Sequence, residues 1–227
     1  DRLVHGFSAR QGGVSPAPYD SLNMALHVGD DPACVWENRR RYFAALGLDA
    51  ERICTIRQVH GTEIVRAFRR DAGRGARDYD DALADADAVI TNDSGVPLML
   101  CYADCVPVLL YDPVHHAAGV VHAGWKGTVQ RIAAQTVARM GEEFGTAAPD
   151  VLAGIGPSIG AGCYTVGAEV ADRFRAAFPT HTDAIVQERD GAIHLDLWAA
   201  NHIQMVAVGI LEEHIDHADI CTSCDRT

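Results

Sequence analysis

Positive charge is what this chain has least of. It contains one lysine, Lys126, beside 18 arginines, against 31 acidic residues, and its formal net charge is −12. That balance argues against a general nucleic-acid scaffold, which needs a basic footprint. It leaves room for a local basic pocket and a small anionic substrate. Long apolar runs are missing too: no stretch of about 18 uncharged apolar residues offers a membrane span. The opening DRLVHGFSAR lacks the basic-then-apolar layout of a signal peptide and has no initiator methionine. The seven cysteines are odd in number and irregularly spaced, unlike a secreted disulfide framework. A reducing, cytoplasmic compartment is the expectation. The chain has no fixed repeat and no long linker, and its 48% hydrophobic content suits a real core. One domain over 1–227 is expected, in a monomer or an oligomer.

What is present reads as alternating strands and helices. DDPACVWENRRRYFAALG predicts a helix, with Asp31 as cap, Pro32 in the first turn and Gly47 at the end. RICTI, EIVRAF, DAVIT, PLMLCY, VPVLLYD, HHAAGVVHA and DVLAGIG predict strands. Val129 to Phe144 carries apolar residues at helical spacing, from a start expected near Thr128. Further helices are expected at about 167–178 and 197–211, with short strands near 184–188, 192–195 and 218–222. Arg69 to Asp85 reads as a polar surface loop. The mixture predicts an α+β layered domain.

Four turns carry more chemistry than a turn needs: RQVHG (57–61), YADCVP (102–107), VVHAGWKGT (120–128) and GIGPSIGAGCY (154–164). The first three each offer one metal ligand beside a predicted strand end: His60, Cys105 and His122. Two imidazoles and a thiolate suit Zn²⁺, with a fourth position for water whose pKa the ion lowers to about 7. A thiolate also suits copper. The spacings, 45 and 17 residues, do not by themselves foretell convergence. The same residues serve a cysteine hydrolase equally well, with Cys105 as nucleophile, a histidine as base and Asp104 as its orienter. A third possibility is plain packing of a small buried thiol and hydrogen-bonded histidines. CTSC (221–224) and HIDH (214–217) read as incidental, the latter as a helical face. The glycine-rich loop matches neither a P-loop nor a dinucleotide fingerprint. Trp125 reads as packing in preference to a purine platform, and amides at the helix start after it offer an anion site.

The motifs GFSARQGGVSPAPYDSLNMALHVGDDPACVWENRRR, RQVHG, ADADAVIT, ADCVPVLLYD, VVHAGWKGT, GPSIGAGCYTVG, HLDLWAAN and DICTSC, in that order, resemble the YfiH/YlmD laccase-domain family from about Val4 to Cys224. The resemblance implies a layered α/β/β/α fold with mixed sheets, shared distantly with some cysteine hydrolase toxins. It implies a cytoplasmic, zinc-dependent enzyme of purine nucleosides, with Cu²⁺ as the other candidate ion. The activities implied are phosphorolysis of adenosine, inosine and methylthioadenosine, and adenosine deamination. It also implies His60, Cys105 and His122 as the metal triad and as catalytic residues. A bacterial branch of the family is linked to removal of wrongly incorporated serine from peptidoglycan precursors. The family's older name, polyphenol oxidase or multicopper laccase, fits the residues poorly: the 11 histidines include no H-x-H pair. For phosphorolysis the candidate cations are Arg10, Arg57 and Lys126, and the candidate polar contacts are Asn23 and Gln58. Family chains usually continue beyond the CT..C segment into an aromatic, arginine-rich stretch, where this chain stops at CDRT.

Overall fold

The computed structural model describes residues 3–225; the first two residues of DRLVHGFSAR and the last two of CDRT lie outside them. The predicted first helix is α1 (Pro32–Ala45). Asp31 accepts from the Ala33 amide and Pro32 sits in the first turn. Gly47 follows in the left-handed region at φ +71°. α1 turns Val35, Asn38, Arg39 and Phe43 inward.

Strand β1 (Ile64–Arg66) is followed by β2 (Ala88–Thr91), β3 (Val106–Asp112) and β4 (Ala117–Ala123). Then come α2 (Trp125–Val129), α3 (Ile132–Phe144), β5 (Leu152–Ile155), β6 (Thr165–Val166) and α4 (Ala168–Ala177). The chain continues through α5 (Thr182–Ile185), β7 (Val186–Arg189), β8 (Ala192–Leu195), α6 (Leu197–Val208) and β9 (Ile215–His217). One sheet is mixed and six-stranded, in the order β1-β2-β4-β3-β5-β9, with parallel pairs at its two edges. The other is antiparallel, β6-β8-β7. The expected α+β layering is therefore present, with mixed pairing confined to the larger sheet.

The layers follow from side-chain pattern. β3 and β4 are central and apolar on both faces, as a strand covered on both sides must be. Ile132, Ala133, Val137 and Met140 of α3 join Ile90, Val108, Val121, Phe174, Leu195 and Met205 in the main core. On the other side Cys54, Ile56, Ala67, Val89 and Leu100 form a second cluster. Phe43, Ile53 and Met99 form a third under α1.

Several expectations are revised. RICTI and PLMLCY meet only at an isolated bridge, Cys54 to Leu98. Their remaining backbone groups are drawn off by loops, as where Thr55 N–H donates to Arg74. The strand expected at 218–222 lies earlier, as β9, so HIDH is mostly strand, not a helical face. The expected helix from Thr128 starts at Trp125 and breaks where Arg131 takes φ +66°. The Arg69–Asp85 segment is not wholly a solvated surface: Ala76 and Ala82 are buried. The carbonyls of Gly75 and Ala76 accept from the buried Arg39 guanidinium, which also reaches Met24 O.

The 13–38 region is held by a buried polar network. Asn38 accepts from Val14 N–H at 2.8 Å and donates to Ser15 Oγ, Ser21 O and Asn23 O. Ser15 and Asn23 both donate to Asp30 Oδ2, at 2.6 and 2.8 Å. Burial works against the charge of Asp30, but these bonds and the Asp31 amide outweigh it and hold its pKa below the ordinary carboxylate value. Asn38→Ala strands several of these groups and is expected to cost about 2–4 kcal/mol by urea denaturation. Because the Asp30 pKa falls on folding, its contribution is complete above the unfolded value of about 3.9 and is lost as pH drops through the folded value. Asp30→Asn should therefore lower stability at pH 7, and the gap to wild type should narrow on acidification. A gap that stays constant from pH 7 to pH 3 would refute this.

Candidate metal centre

The sheet register builds the site. β3 and β4 run antiparallel with Pro107 opposite His122 and Val106 opposite Ala123. Cys105, one residue before β3, is thereby brought beside the end of β4. β2 pairs with β4 on its other edge, Ala88 opposite Val121, so Asp87 falls next to His122. The His122 N–H donates to Asp87 O at 2.7 Å, extending the ladder by one bond. β1 is parallel to β2, and the turn before it, carrying His60, lands at the same sheet end.

There the side chains converge. One ligand atom from each of His60, Cys105 and His122 lies within 4.8 Å of the others. The rings of His60 and His122 meet edge to face at 4.8 Å between centroids. His122 is buried, Cys105 half-buried and His60 exposed, so the group opens to solvent on the His60 side. Asp87 is fully buried. Its Oδ1 lies 2.8 Å from His122 Nδ1, which leaves Nε2 of that ring for a ligand. The same carboxylate accepts from the amides of Val59, His60 and Gly61, at 3.3, 3.0 and 2.6 Å. Burial raises the Asp87 pKa, but the His122 and amide hydrogen bonds outweigh it, and the net shift is downward. Burial likewise opposes charge on His122, yet bonds to Asp87 and Cys105 lift its pKa to about 9. His60 moves the other way, lowered by burial and by the charges of His122 and Lys126, with Asp87 opposing.

VVHAGWKGT is shaped around this centre. A Cβ on Gly124 would stand 3.0 Å from Cys105 Sγ and 3.3 Å from His60 Cδ2, so any side chain there would push on both members of the cluster. A Cβ on Gly127 would stand 3.0 Å from the Gly61 carbonyl, where α2 presses on the His60 turn. His60 itself takes φ +59°, a strained conformation for a non-glycine residue, held by the amide bonds to Asp87. Trp125 packs against the main core, as expected for a packing residue. The helix start expected to offer an anion site is that of α2, which begins at Trp125 and is only five residues long.

The other expected residues are placed as follows. Asn23 is tied to Asp30 and to Ala25. Gln58 bridges both backbone groups of Cys101. Arg57 pairs with Asp85 at 2.5 Å and donates to Asp80 O. Lys126 is exposed beside His60, and Arg10 is exposed on the N-terminal segment. Asp104 does not orient a histidine; its Oδ1 accepts from Thr222 at 2.8 Å. Asp87 takes that role. It was in view, in ADADAVIT, as a carboxylate directly before an apolar strand, but the two acidic residues in that stretch, Asp85 and Asp87, gave no ground for choosing one. A cavity of about 1000 Å³ lies elsewhere, lined by Phe7, Phe43, Leu109 and Val120 and by none of the triad.

The donor set fits zinc: two imidazole nitrogens and one sulfur, one imidazole oriented by a buried carboxylate, and one side open. Fold and site define a layered α/β protein whose main sheet gathers a His-Cys-His group able to hold a metal ion. Residues 4–227 match the family model described as multi-copper polyphenol oxidoreductase laccase. The chain belongs to that family. It is 40% identical to a protein named purine nucleoside phosphorylase YlmD from Geobacillus stearothermophilus, over 98% of this chain and 82% of that one. It is 33% identical to adenosine deaminase RL5 of an unknown prokaryotic organism, over 99% and 86%. The crystal structure of Bacillus licheniformis YfiH superposes with a TM-score of 0.92 at 38% identity, covering 96% of this chain and 82% of that one. The resemblance drawn from the motifs is borne out.

Asp87→Asn keeps the size of the side chain and removes the charge behind His122. It is expected to weaken Zn²⁺ binding by about 10–100-fold, measured by chelator competition on protein whose circular dichroism is unchanged. Equal affinity in the two proteins would show that Asp87 serves only the turn.

Proposed function

We propose that this protein is a zinc-dependent purine nucleoside enzyme. It phosphorolyses adenosine, inosine and methylthioadenosine, deaminates adenosine, and works in the cytoplasm. The observation that carries the reading is the convergence of His60, Cys105 and His122 on an open-sided cluster backed by buried Asp87. The names of the relatives, purine nucleoside phosphorylase and adenosine deaminase, supply the substrate class. Among the described residues no helix is long and apolar enough to cross a membrane.

His60, Cys105 and His122 would hold the ion, and Zn²⁺ bound there supplies Lewis-acid chemistry and a low-pKa water. The rest is the work of the chain. Asp87 fixes the His122 tautomer, with Nδ1–H toward the carboxylate. In phosphorolysis a phosphate oxygen bonds to ribose C1′ as the C1′–N9 bond breaks, its electron pair leaving with the base, which takes up a proton. Lys126, exposed and near enough to His60 to act on its charge, is the first candidate cation for phosphate, and the exposed Arg10 is the second. Arg57, Gln58 and Asn23 act by holding the walls, since their side chains are engaged within the protein. In deamination water adds at purine C6 and ammonia leaves. Asp104, beside Cys105, has one oxygen bound to Thr222 and the other to carry the proton.

A second reading has its own support. Cys105, His122 and Asp87 form a thiol–imidazole–carboxylate relay, the arrangement of a cysteine hydrolase, and amide cleavage in peptidoglycan precursors is the reaction it would serve. Copper-dependent phenol oxidation needs more ligands than one three-residue centre supplies.

Incubation of the zinc-loaded protein with adenosine and phosphate separates the readings. Adenine with ribose 1-phosphate marks phosphorolysis, and inosine marks deamination. Failure of the zinc-loaded protein to form either product would overturn the proposal. Cys105→Ala should lose bound zinc and at least about 100-fold in turnover. An acyl thioester trapped on Cys105 by mass spectrometry would favour the hydrolase, and turnover of phenols with copper alone would favour the oxidase.

A further inference from the structure

A second group of metal-ligating side chains lies outside the His60 centre. The sulfurs of Cys163, Cys221 and Cys224 all lie within 4.8 Å of one another, and none is in a disulfide. They come from two segments that the fold clamps together. Cys163 ends the glycine-rich loop, in a turn closed by its N–H on Gly160 O at 2.9 Å. Cys221 and Cys224 lie in a turn beyond β9, closed by the Asp225 N–H on Cys221 O at 2.9 Å. Between the segments Ser158 N–H donates to Ile220 O and Thr222 N–H to Ser158 O, at 3.1 Å each.

The surroundings of Cys221 are those of a sulfur that carries charge. The Gly160 N–H points at its Sγ from 3.2 Å. The amides of Ser223 and Cys224 also donate to it. A C-x-x-C turn whose own amides face the first sulfur neutralises a bound thiolate in the way second-shell donors do at metal sites. Tetrahedral zinc with bonds of about 2.3 Å holds its sulfurs about 3.8 Å apart, so small side-chain rotations bring these three into place. Cys224 is exposed, which gives an ion a way in.

We infer that Cys163, Cys221 and Cys224 form a second metal site, taking a thiophilic cation, Zn²⁺ or Cu(I), with one coordination position left for a small ligand. Binding releases the three thiol protons to solvent and forms three metal–sulfur bonds, with no change of oxidation state. The site has a structural consequence for the first centre. Thr222 Oγ1 donates to Asp104 Oδ1 at 2.8 Å and Ile159 N–H to Asp104 O at 3.0 Å. Asp104 adjoins Cys105. An ion holding the two cysteine segments together thus braces the turn that presents the Cys105 thiol.

The test counts metal on the full chain, purified under reductant and washed with a weak chelator. Wild type is expected to retain two equivalents of Zn²⁺. Cys224→Ser, at an exposed position, should retain one, and so should the double variant His60→Ala, Cys105→Ala. Cd²⁺ gives a second readout on unaltered protein. Its thiolate charge-transfer band should fall by about three quarters in the Cys163→Ser, Cys221→Ser, Cys224→Ser chain, which keeps one ligand thiol of four. Anaerobic loading with Cu(I) in place of Zn²⁺, under the same wash, decides between the two ions. One equivalent in wild type and Cys224→Ser alike would overturn the inference. So would a Cd²⁺ band of single-thiolate strength in wild type, or a disulfide among the three cysteines in freshly reduced, metal-challenged protein. None of these readouts depends on nucleoside turnover, so failure here and failure of the purine reading are separable.

Discussion

A single buried carboxylate organises the end of the sheet where His60, Cys105 and His122 meet. Asp87 has no exposed surface, and a charge in that position is stable only if its lone pairs are filled. Three successive amides of the 59–61 turn and the His122 ring fill them. Each donor gains a fixed position in return. The turn is wound tightly enough to put His60 in the left-handed region, and the His122 ring is held with one nitrogen presented outward. Two candidate ligands, His60 and His122, from segments 62 residues apart are therefore oriented by one group that stands behind both of them.

The glycines of the WKG turn complete the arrangement from the opposite side. Gly124 leaves space beneath Cys105 and His60, and Gly127 lets the short helix α2 rest on the Gly61 carbonyl. The two devices act on the same turn, one by attraction and one by the absence of a side chain. Exposure then grades across the ligands, from buried His122 to open His60. The group opens to solvent on the His60 side, where Lys126, the chain's one lysine, also stands.

Much of this could be read before the fold was known, and the failures have physical causes. The first helix announced itself through its cap, its proline and its closing glycine, all local signals. β2, β3 and β4 were evident as apolar runs. RICTI and PLMLCY had the composition of strands, but tertiary pairing to loops overrode it, as happens readily to β-propensity. The break at Arg131 carried no glycine or proline to mark it. The residues offered His60, Cys105 and His122 as one reading among three, and the resemblance selected it, because the spacings of its members encode no geometry until the register is known. Asp87 escaped for the same reason. Asn23, Arg57 and Gln58 have polar side chains of the kind that bind ligands, and the fold uses them to bind itself. The cysteines of CTSC looked incidental because their third partner, Cys163, lies 58 residues earlier.

The pairing of β4 has one more consequence. Its AAGVVHA sequence is apolar on both faces, so a shift of one residue against β3 or β2 would cost little by hydrophobic pattern alone. Such a slip turns every side chain of the strand to the opposite face. His122 is the one polar side chain in the run, and only the observed alignment lets it reach Asp87. His122 thus doubles as the pin that sets the strand's alignment, and a misthreaded sheet is penalised by a buried carboxylate that has lost its histidine partner. The residue proposed to serve the reaction also proofreads the fold that carries it.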